Sequence, residues 1–234
     1  MTIEPGQHRR HFEIAKVATK PKASKSRTLS EREFERFARA LEHSSKGTPL
    51  ANLATVQYFQ ALRISEVTAL HWEDLILDKQ RPQQSFMQVQ RSLKWLSNGE
   101  VRLELGFKNS KALSGTKMLP LFPPVYRVLH RMKKARRSQS KPPAGLIFIS
   151  ANRKPLSYRE IQYAYDKAFR LAGLDYTGTH ILRHGGCRRF HRKTADLDIV
   201  GQLLGNVNQG NVRIYTETKF EALACAVRRE WKRR

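Results

Sequence analysis

Three short stretches hold side chains able to act on a phosphate group. In "ALRISEV", residues 61–67, Arg63 closes an apolar run and precedes Ser65 and Glu66, which open the next segment. A guanidinium there offers phosphate oxygens a planar, permanently charged fork, or it folds back into a buried pair with Glu66. In "GTHILRHGGCRRF", residues 178–190, helical spacing sets His180, Arg183, His184 and Cys187 on one face. That face reads as an anion site with Arg183 as clamp and His180 as hydrogen-bond donor. It also reads as structural histidines, or as a metal site through His180, His184 and Cys187 that lacks a fourth ligand nearby. In "LLGNVNQGNVRIYTE", residues 203–217, Tyr215 stands nine positions after Asn206. Its ring is packing or its hydroxyl is a reagent, and nothing local decides.

The elements that must position these residues are mostly helical. "TLSEREFERFARALEH" opens a helix with Thr28 or Ser30 as cap and Phe34, Phe37, Ala38 and Leu41 at helical spacing. "PLANLATVQYFQALR" reads as a buried helix, and "SEVTALHWEDL" repeats the cap-then-apolar pattern. Between 85 and 121 the period changes: "SFMQVQRSL", "EVRLELGF" and "TKMLPL" alternate as three strands, with "SNG" at 97–99 as a turn. Pro123 and Pro124 suit the start of a helix over "PPVYRVLHRMKKARR", and "GLIFIS" is a short buried strand or extended segment. "LSYREIQYAYDKAFRLAGL" is an amphipathic helix stopped by Gly173, and the remainder reads as helix broken near Gly178, Gly205 and Gly210. The expected class is α+β: a mostly helical body over 29–217 with a small three-stranded antiparallel sheet. Residues 1–28 read as a basic flexible arm or linker, and 218–234 as an amphipathic C-terminal helix.

Charge narrows the partner. The 234 residues carry 44 Lys and Arg against 20 Asp and Glu, a net +24, with 40% hydrophobic residues for a core. Such a surface binds a polyanion by counterion release, and nucleic acid fits best. No run of about 18 apolar residues and no lipidation signal favours a membrane. Two cysteines, Cys187 and Cys225, make no disulfide framework, and with no apolar leader they suit a reducing interior, bacterial cytoplasm or nucleus. Between Glu104 and Glu160 no acid occurs, while thirteen Lys and Arg do. Lys117, Arg131, Lys133, Lys134, Arg136 and Arg137 are therefore candidate phosphate contacts.

Taken together, the boxes resemble the tyrosine recombinase, or phage integrase, family in its catalytic domain. "ALRISEVTALHWEDL" looks like the family's first arginine box, "THILRH" its His-x-x-Arg-His box, and "LLGN" with Tyr215 its Leu-Gly-His…Tyr ending. "PLSYREIQYAYDKAFRLAGL" is similar to the helix before the second box, and the likeness runs from about residue 28 to 217. The resemblance implies that Tyr215 attacks a DNA phosphodiester to form a 3′-phosphotyrosyl bond, with Arg63 and Arg183 clamping the non-bridging oxygens. His180 would assist as donor or general base, and His184 would support the fold. A hairpin lysine would protonate the leaving 5′-oxygen: Lys108, with Lys111 as the alternative, while Lys117 within a strand would touch backbone phosphate. No cofactor, metal or ATP is implied. The implied partner is double-stranded DNA, bound by a homo-oligomer, a tetramer on paired sites, with accessory DNA-bending proteins and a location on the bacterial nucleoid in the cytoplasm. The C-terminal helix would contact a neighbouring protomer or fold back on its own domain.

Two departures stand out. Asn206 occupies the position where the family has His or Trp; it can donate a hydrogen bond but cannot take up a proton. Residues 1–28 are also too short for the separate core-binding domain that many members carry. The competing functions are a type IB topoisomerase with the same chemistry and a DNA-binding protein that kept the fold without the catalysis.

Overall fold

Ser30 starts the first helix, α1 (Glu31–Glu42). Its hydroxyl accepts from the Glu33 amide at 3.3 Å, and Glu33 Oε2 accepts from the Ser30 amide at 2.8 Å. Two donors that a helix end leaves without partners are thus satisfied reciprocally. The computed structural model describes residues 28–44, 47–106, 116–138, 145–204 and 216–232. After α1 come α2 (Gly47–Phe59), α3 (Ile64–Thr68), α4 (Pro123–Ser138), α5 (Tyr158–Leu171), α6 (His180–Thr194), α7 (Leu197–Leu204) and α8 (Thr216–Lys232).

The centre of the domain is α2. Leu50, Ala51, Leu53, Ala54, Val56 and Tyr58 are buried on every side of it, as expected of a helix apolar all round. It packs on α1, α4 and α6, while α1 covers α5. The closest approach is to α6, where a Cβ added at Gly186 would lie 1.9 Å from the Tyr58 carbonyl oxygen. At Gly185 it would lie 2.6 Å from the Leu29 carbonyl oxygen. The Gly-Gly pair therefore lets two backbones touch, and it fixes where α6 lies against the end of α2.

The sheet is antiparallel, but its strands divide differently from the sequence expectation. Strands β1 (Leu75–Ile76), β2 (Phe86–Val89), β3 (Arg91–Trp95), β4 (Val101–Leu105) and β5 (Lys117–Pro120) form a three-stranded sheet, β1-β2-β5, and a separate hairpin, β3-β4. The stretch read as one strand over 85–93 breaks at Gln90. Asp74, buried in the 3₁₀ turn Trp72–Asp74, accepts from Gln90 Nε2 at 2.8 Å and from Arg91 Nη1 at 2.7 Å. That capture of two successive side chains redirects the strand. Trp95 Nε1 donates to the Leu156 carbonyl at 2.9 Å and ties the hairpin back to the start of α5. "GLIFIS" is an extended segment joined by isolated bridges at Leu146 and Ile149.

Helix α8 packs on its own domain. Leu223, Ala224, Ala226 and Val227 are buried, and Phe220 meets Phe86 of β2 edge to face. Arg189 of α6 locks the far end: Nη1 reaches both Glu230 carboxylate oxygens at 2.9 and 2.8 Å. The same guanidinium lies 4.8 Å from the Phe59 ring centre and 4.9 Å from that of Phe122. Trp231 Nε1 donates to the Leu121 carbonyl at 3.2 Å.

The α2–α6 contact yields a stability prediction. Gly186→Ala should cost on the order of 3 kcal/mol in urea unfolding, because the new methyl meets a backbone oxygen that cannot rotate away. A variant as stable as the parent would mean that α6 slides freely on α2.

Candidate active site

Glu66 is the hub. It is 1% exposed, on the first turn of α3, and four donors from three parts of the chain converge on its carboxylate. Oε2 accepts from the Arg63 amide at 2.9 Å, capping α3, while Oε1 accepts from Arg63 Nη1 at 2.9 Å and Lys117 Nζ at 2.8 Å. Arg183 Nη1 lies 3.5 Å from Oε2. Of the readings open for Arg63, the pair with Glu66 forms, yet the Arg63 side chain remains 41% exposed and available to a ligand.

Arg183 is held more deeply. Nη1 donates to the Ala61 carbonyl at 2.7 Å and Nη2 to the Leu204 carbonyl at 3.3 Å. Ala61 turns the chain between α2 and α3 with φ of 51°, the left-handed region that a residue with a Cβ rarely adopts. That turn places its carbonyl toward α6 and sends Arg63 outward. Arg183 thereby joins the end of α2, the start of α3 and the last residue of α7.

Three cations around one carboxylate leave a surplus of two positive charges. Burial works against the Glu66 charge, but Lys117, the Arg63 amide and Arg183 outweigh it and hold its pKa below the usual carboxylate value. Burial pulls the Lys117 pKa down, with Arg183 and Arg63 acting in the same direction and Glu66 opposing them. His180, on the first turn of α6, is pushed below the usual histidine value by burial, then by His184, Arg183 and Arg63. It is therefore a neutral imidazole at neutral pH, able to accept a proton. The His184 ring lies 6.4 Å from it, on the exposed face of the helix. Burial raises the Cys187 thiol. Among the described residues, no group of three or more His, Cys, Asp or Glu stands together as metal ligands.

The structure thus gathers Arg63, Lys117, His180 and Arg183. Lys108, Lys111, Asn206 and Tyr215 lie outside the described residues. Lys117 lies within a strand, β5, as expected, and it is buried against Glu66 because it shares a strand face with buried Leu119. The α4 cations also lie elsewhere. Gln60 Oε1 accepts from the Phe122 amide, and Arg131 Nη2 donates to Asn52 Oδ1 at 3.0 Å, so α4 runs antiparallel to α2. Lys133, Lys134, Arg136 and Arg137 consequently sit at the end remote from Arg63, Lys133 about 16 Å along the axis from Phe122. The sequence reading treated Glu66 merely as a possible partner of Arg63. Its i,i+3 spacing from Arg63, suited to a helix cap, was the available signal for more.

This domain matches known proteins. The chain belongs to the phage integrase family, whose model matches residues 27–222. It is 32% identical over 109 residues to the tyrosine recombinase XerC of Nitrobacter winogradskyi, covering 46% of this chain and 34% of that protein. With XerC of Pseudomonas aeruginosa it shares 34% identity over 92 residues, 38% of this chain and 29% of that one. The matched stretch thus spans about a third of each relative. A structure of the Tn1549 transposon integrase in complex with a circular intermediate DNA superposes with a TM-score of 0.63 at 18% identity, covering 94% of this chain and 68% of that chain. The lambda integrase catalytic core gives 0.51 at 17% identity, covering 76% of this chain and 94% of that one. The fold is shared across these: a mostly helical domain with small antiparallel sheets. Among the described residues, no helix is long and apolar enough to cross a membrane.

The charge on Glu66 makes its own prediction. A carboxylate whose folded pKa is depressed stabilises the native state above its unfolded value, 4.5, and loses that contribution as pH falls through the folded value. Glu66→Gln should cost about 3 kcal/mol at pH 7, as expected on removing one partner of a buried ion cluster. The gap between the two proteins in urea unfolding should close progressively below pH 4.5. A gap that stays constant down to pH 3 would show that size, not charge, holds the cluster.

Proposed function

We propose that this chain is a site-specific DNA recombinase that cuts and rejoins strands through Tyr215. The observation that carries the proposal is the surplus positive charge at Arg63, Lys117 and Arg183, which a phosphodiester would neutralise. Family membership supports the same chemistry. So does the anchoring of the chain on both sides of the tyrosine. Leu204, eleven residues before Tyr215, is bonded to Arg183, and Phe220, five after it, rests on Phe86 beside β5.

The phenol oxygen of Tyr215 attacks the phosphorus, forming an ester to the 3′-phosphate and breaking the bond to the 5′-oxygen. Neutral His180 takes up the phenol proton, and Lys108, with Lys111 as the alternative, protonates the departing 5′-oxygen, which leaves as the hydroxyl. A phenol with pKa about 10 needs such help, because its nucleophilic form is scarce at neutral pH. Arg63 meets the non-bridging oxygens from the exposed side. Arg183 stabilises the extra negative charge of the transition state from beneath, in a setting where water does not compete. Asn206 donates a hydrogen bond to the same phosphate. One ester replaces another, so religation is the reverse step and needs no ATP. Two DNA sites would be joined by a homo-oligomer, a tetramer.

A suicide substrate nicked beside a cognate site tests this. The parent should yield a covalent protein–DNA species on a denaturing gel. Tyr215→Phe should yield none, Asn206→Ala should fall at least tenfold, and Asn206→His should retain activity. Equal adduct from parent and Tyr215→Phe would remove the proposal. In the same assay the rate should hold as pH falls to 6.5 and drop only below it, since the His180 pKa is depressed. His180→Gln should lower the rate and abolish that acid limb. Sedimentation of the full chain with DNA carrying two sites reads the stoichiometry, and one chain per site pair would exclude the tetramer.

A further inference from the structure

A second cationic site lies on the far side of α4. A groove of about 470 Å³ opens between α4 and the segment after β1. Its floor is Leu77 with the rings of Tyr126 and His130, which stack at 5.5 Å and 16°. Its rim is Lys79, Lys133, Lys134 and Arg137. The nearest acid is turned away from them. The Asp78 carboxylate accepts from the Gln80 and Arg81 amides at 2.9 and 2.8 Å, and its backbone carbonyl receives the Tyr126 hydroxyl at 3.1 Å. Among the described residues no ion pair joins any of the four rim cations to a carboxylate.

We propose that this groove binds a nucleic-acid strand remote from the catalytic cleft, its phosphates held by Lys79, Lys133, Lys134 and Arg137 and a base laid against the Leu77–Tyr126–His130 floor. Among the described residues these four cations stand together with no paired carboxylate, a costly arrangement until an anion enters. The strain registers on Lys133, whose pKa is lowered by burial, then by Arg137 and Lys79. The four rim groups are donors without acceptors, so the ligand must present acceptor oxygens bearing negative charge. A flat apolar floor beneath a cationic rim is the pairing by which proteins hold single strands, bases on rings and phosphates on cations. An acidic protein segment fits less well. The groove wall is a helix whose backbone groups are already paired internally, and it offers an extended peptide no strand edge to join. The site shares no residue with the Glu66 cluster and does not depend on the chemistry proposed for Tyr215.

The test uses the full-length protein and a fluorescein-labelled tetrathymidylate with a 5′-phosphate, read by anisotropy at low salt. Lys133→Glu combined with Arg137→Glu should weaken binding at least tenfold, while cleavage of the suicide substrate stays within twofold of the parent. Arg63→Ala should leave tetrathymidylate binding within twofold. His130→Ala should weaken the oligonucleotide about fivefold, as loss of one stacking surface does, without changing the affinity for inorganic phosphate. Competition by thymidine monophosphate at equal phosphate concentration would assign the site to free nucleotides. That outcome would overturn the strand reading, whereas failure of that competitor beside success of unlabelled tetrathymidylate supports a strand of DNA. Oligonucleotide binding that survives the double charge reversal, or that is lost in Arg63→Ala instead, would overturn the proposal. So would competition by polyglutamate as effective as that by the oligonucleotide, which would point to an acidic protein partner.

Discussion

The carboxylate of Glu66 is the interaction around which the domain is organised. It caps α3 through the Arg63 amide, and it holds guanidinium and ammonium groups from the cap of α3, from β5 and from α6. Without its charge, three cations would face one another in a poorly solvated space, where their repulsion is far stronger than in water. With it, the cations sit at hydrogen-bonding distance and still carry net positive charge outward. One buried anion therefore both stabilises the fold and makes the cleft attractive to a phosphate. The left-handed turn at Ala61 and the glycine contact between α2 and α6 serve that arrangement, since each fixes one of the segments that meet at Glu66.

Positive charge in this protein is divided by the antiparallel course of α2 and α4. Both helices start from opposite ends of one packed pair, so the basic half of α4 is carried away from Arg63 in proportion to its length. Arg131 turns onto Asn52, and Lys133, Lys134 and Arg137 surround a groove of their own. What reads along the chain as one basic tract becomes two sites of different character. One is nearly sealed and centred on a carboxylate, and the other is open and built on aromatic rings.

Helices were the legible part of the sequence, because caps and apolar spacing act within a few residues. Ser30, three residues before Glu33, is enough to place the start of α1. Arg63, His180 and Arg183 were legible as a site because they recur in fixed motifs, and the structure brings them together. The split sheet was not, since it depends on Asp74 reaching Gln90 and Arg91, and nothing in the strand itself records that contact. Lys117 was legible as part of a strand but its burial against Glu66 was not, although alternation carried the signal: it stands two residues from buried Leu119, hence on the inner face. A lysine's charge argues for solvent until a buried partner such as Glu66 is known. Tyr215, Asn206, Lys108 and Lys111 rest on motif spacing, as they lie outside the described residues.

Arg189 ties together the mutational histories of four positions. Its cation is buried between the rings of Phe59 and Phe122, its charge is answered by Glu230, and its Nε and Nη2 have no hydrogen-bond partner of their own. Losing Glu230 strands a buried charge, losing Arg189 leaves the Glu230 carboxylate to Lys193 alone, and shrinking either ring opens the sandwich to water. Any one change is penalised by the other three, so these sites should vary as a set or not at all. Phe59 ends α2, Phe122 immediately precedes α4, Arg189 lies within α6, and Glu230 is in the last turns of α8. The last turns of α8 are therefore as constrained as the core.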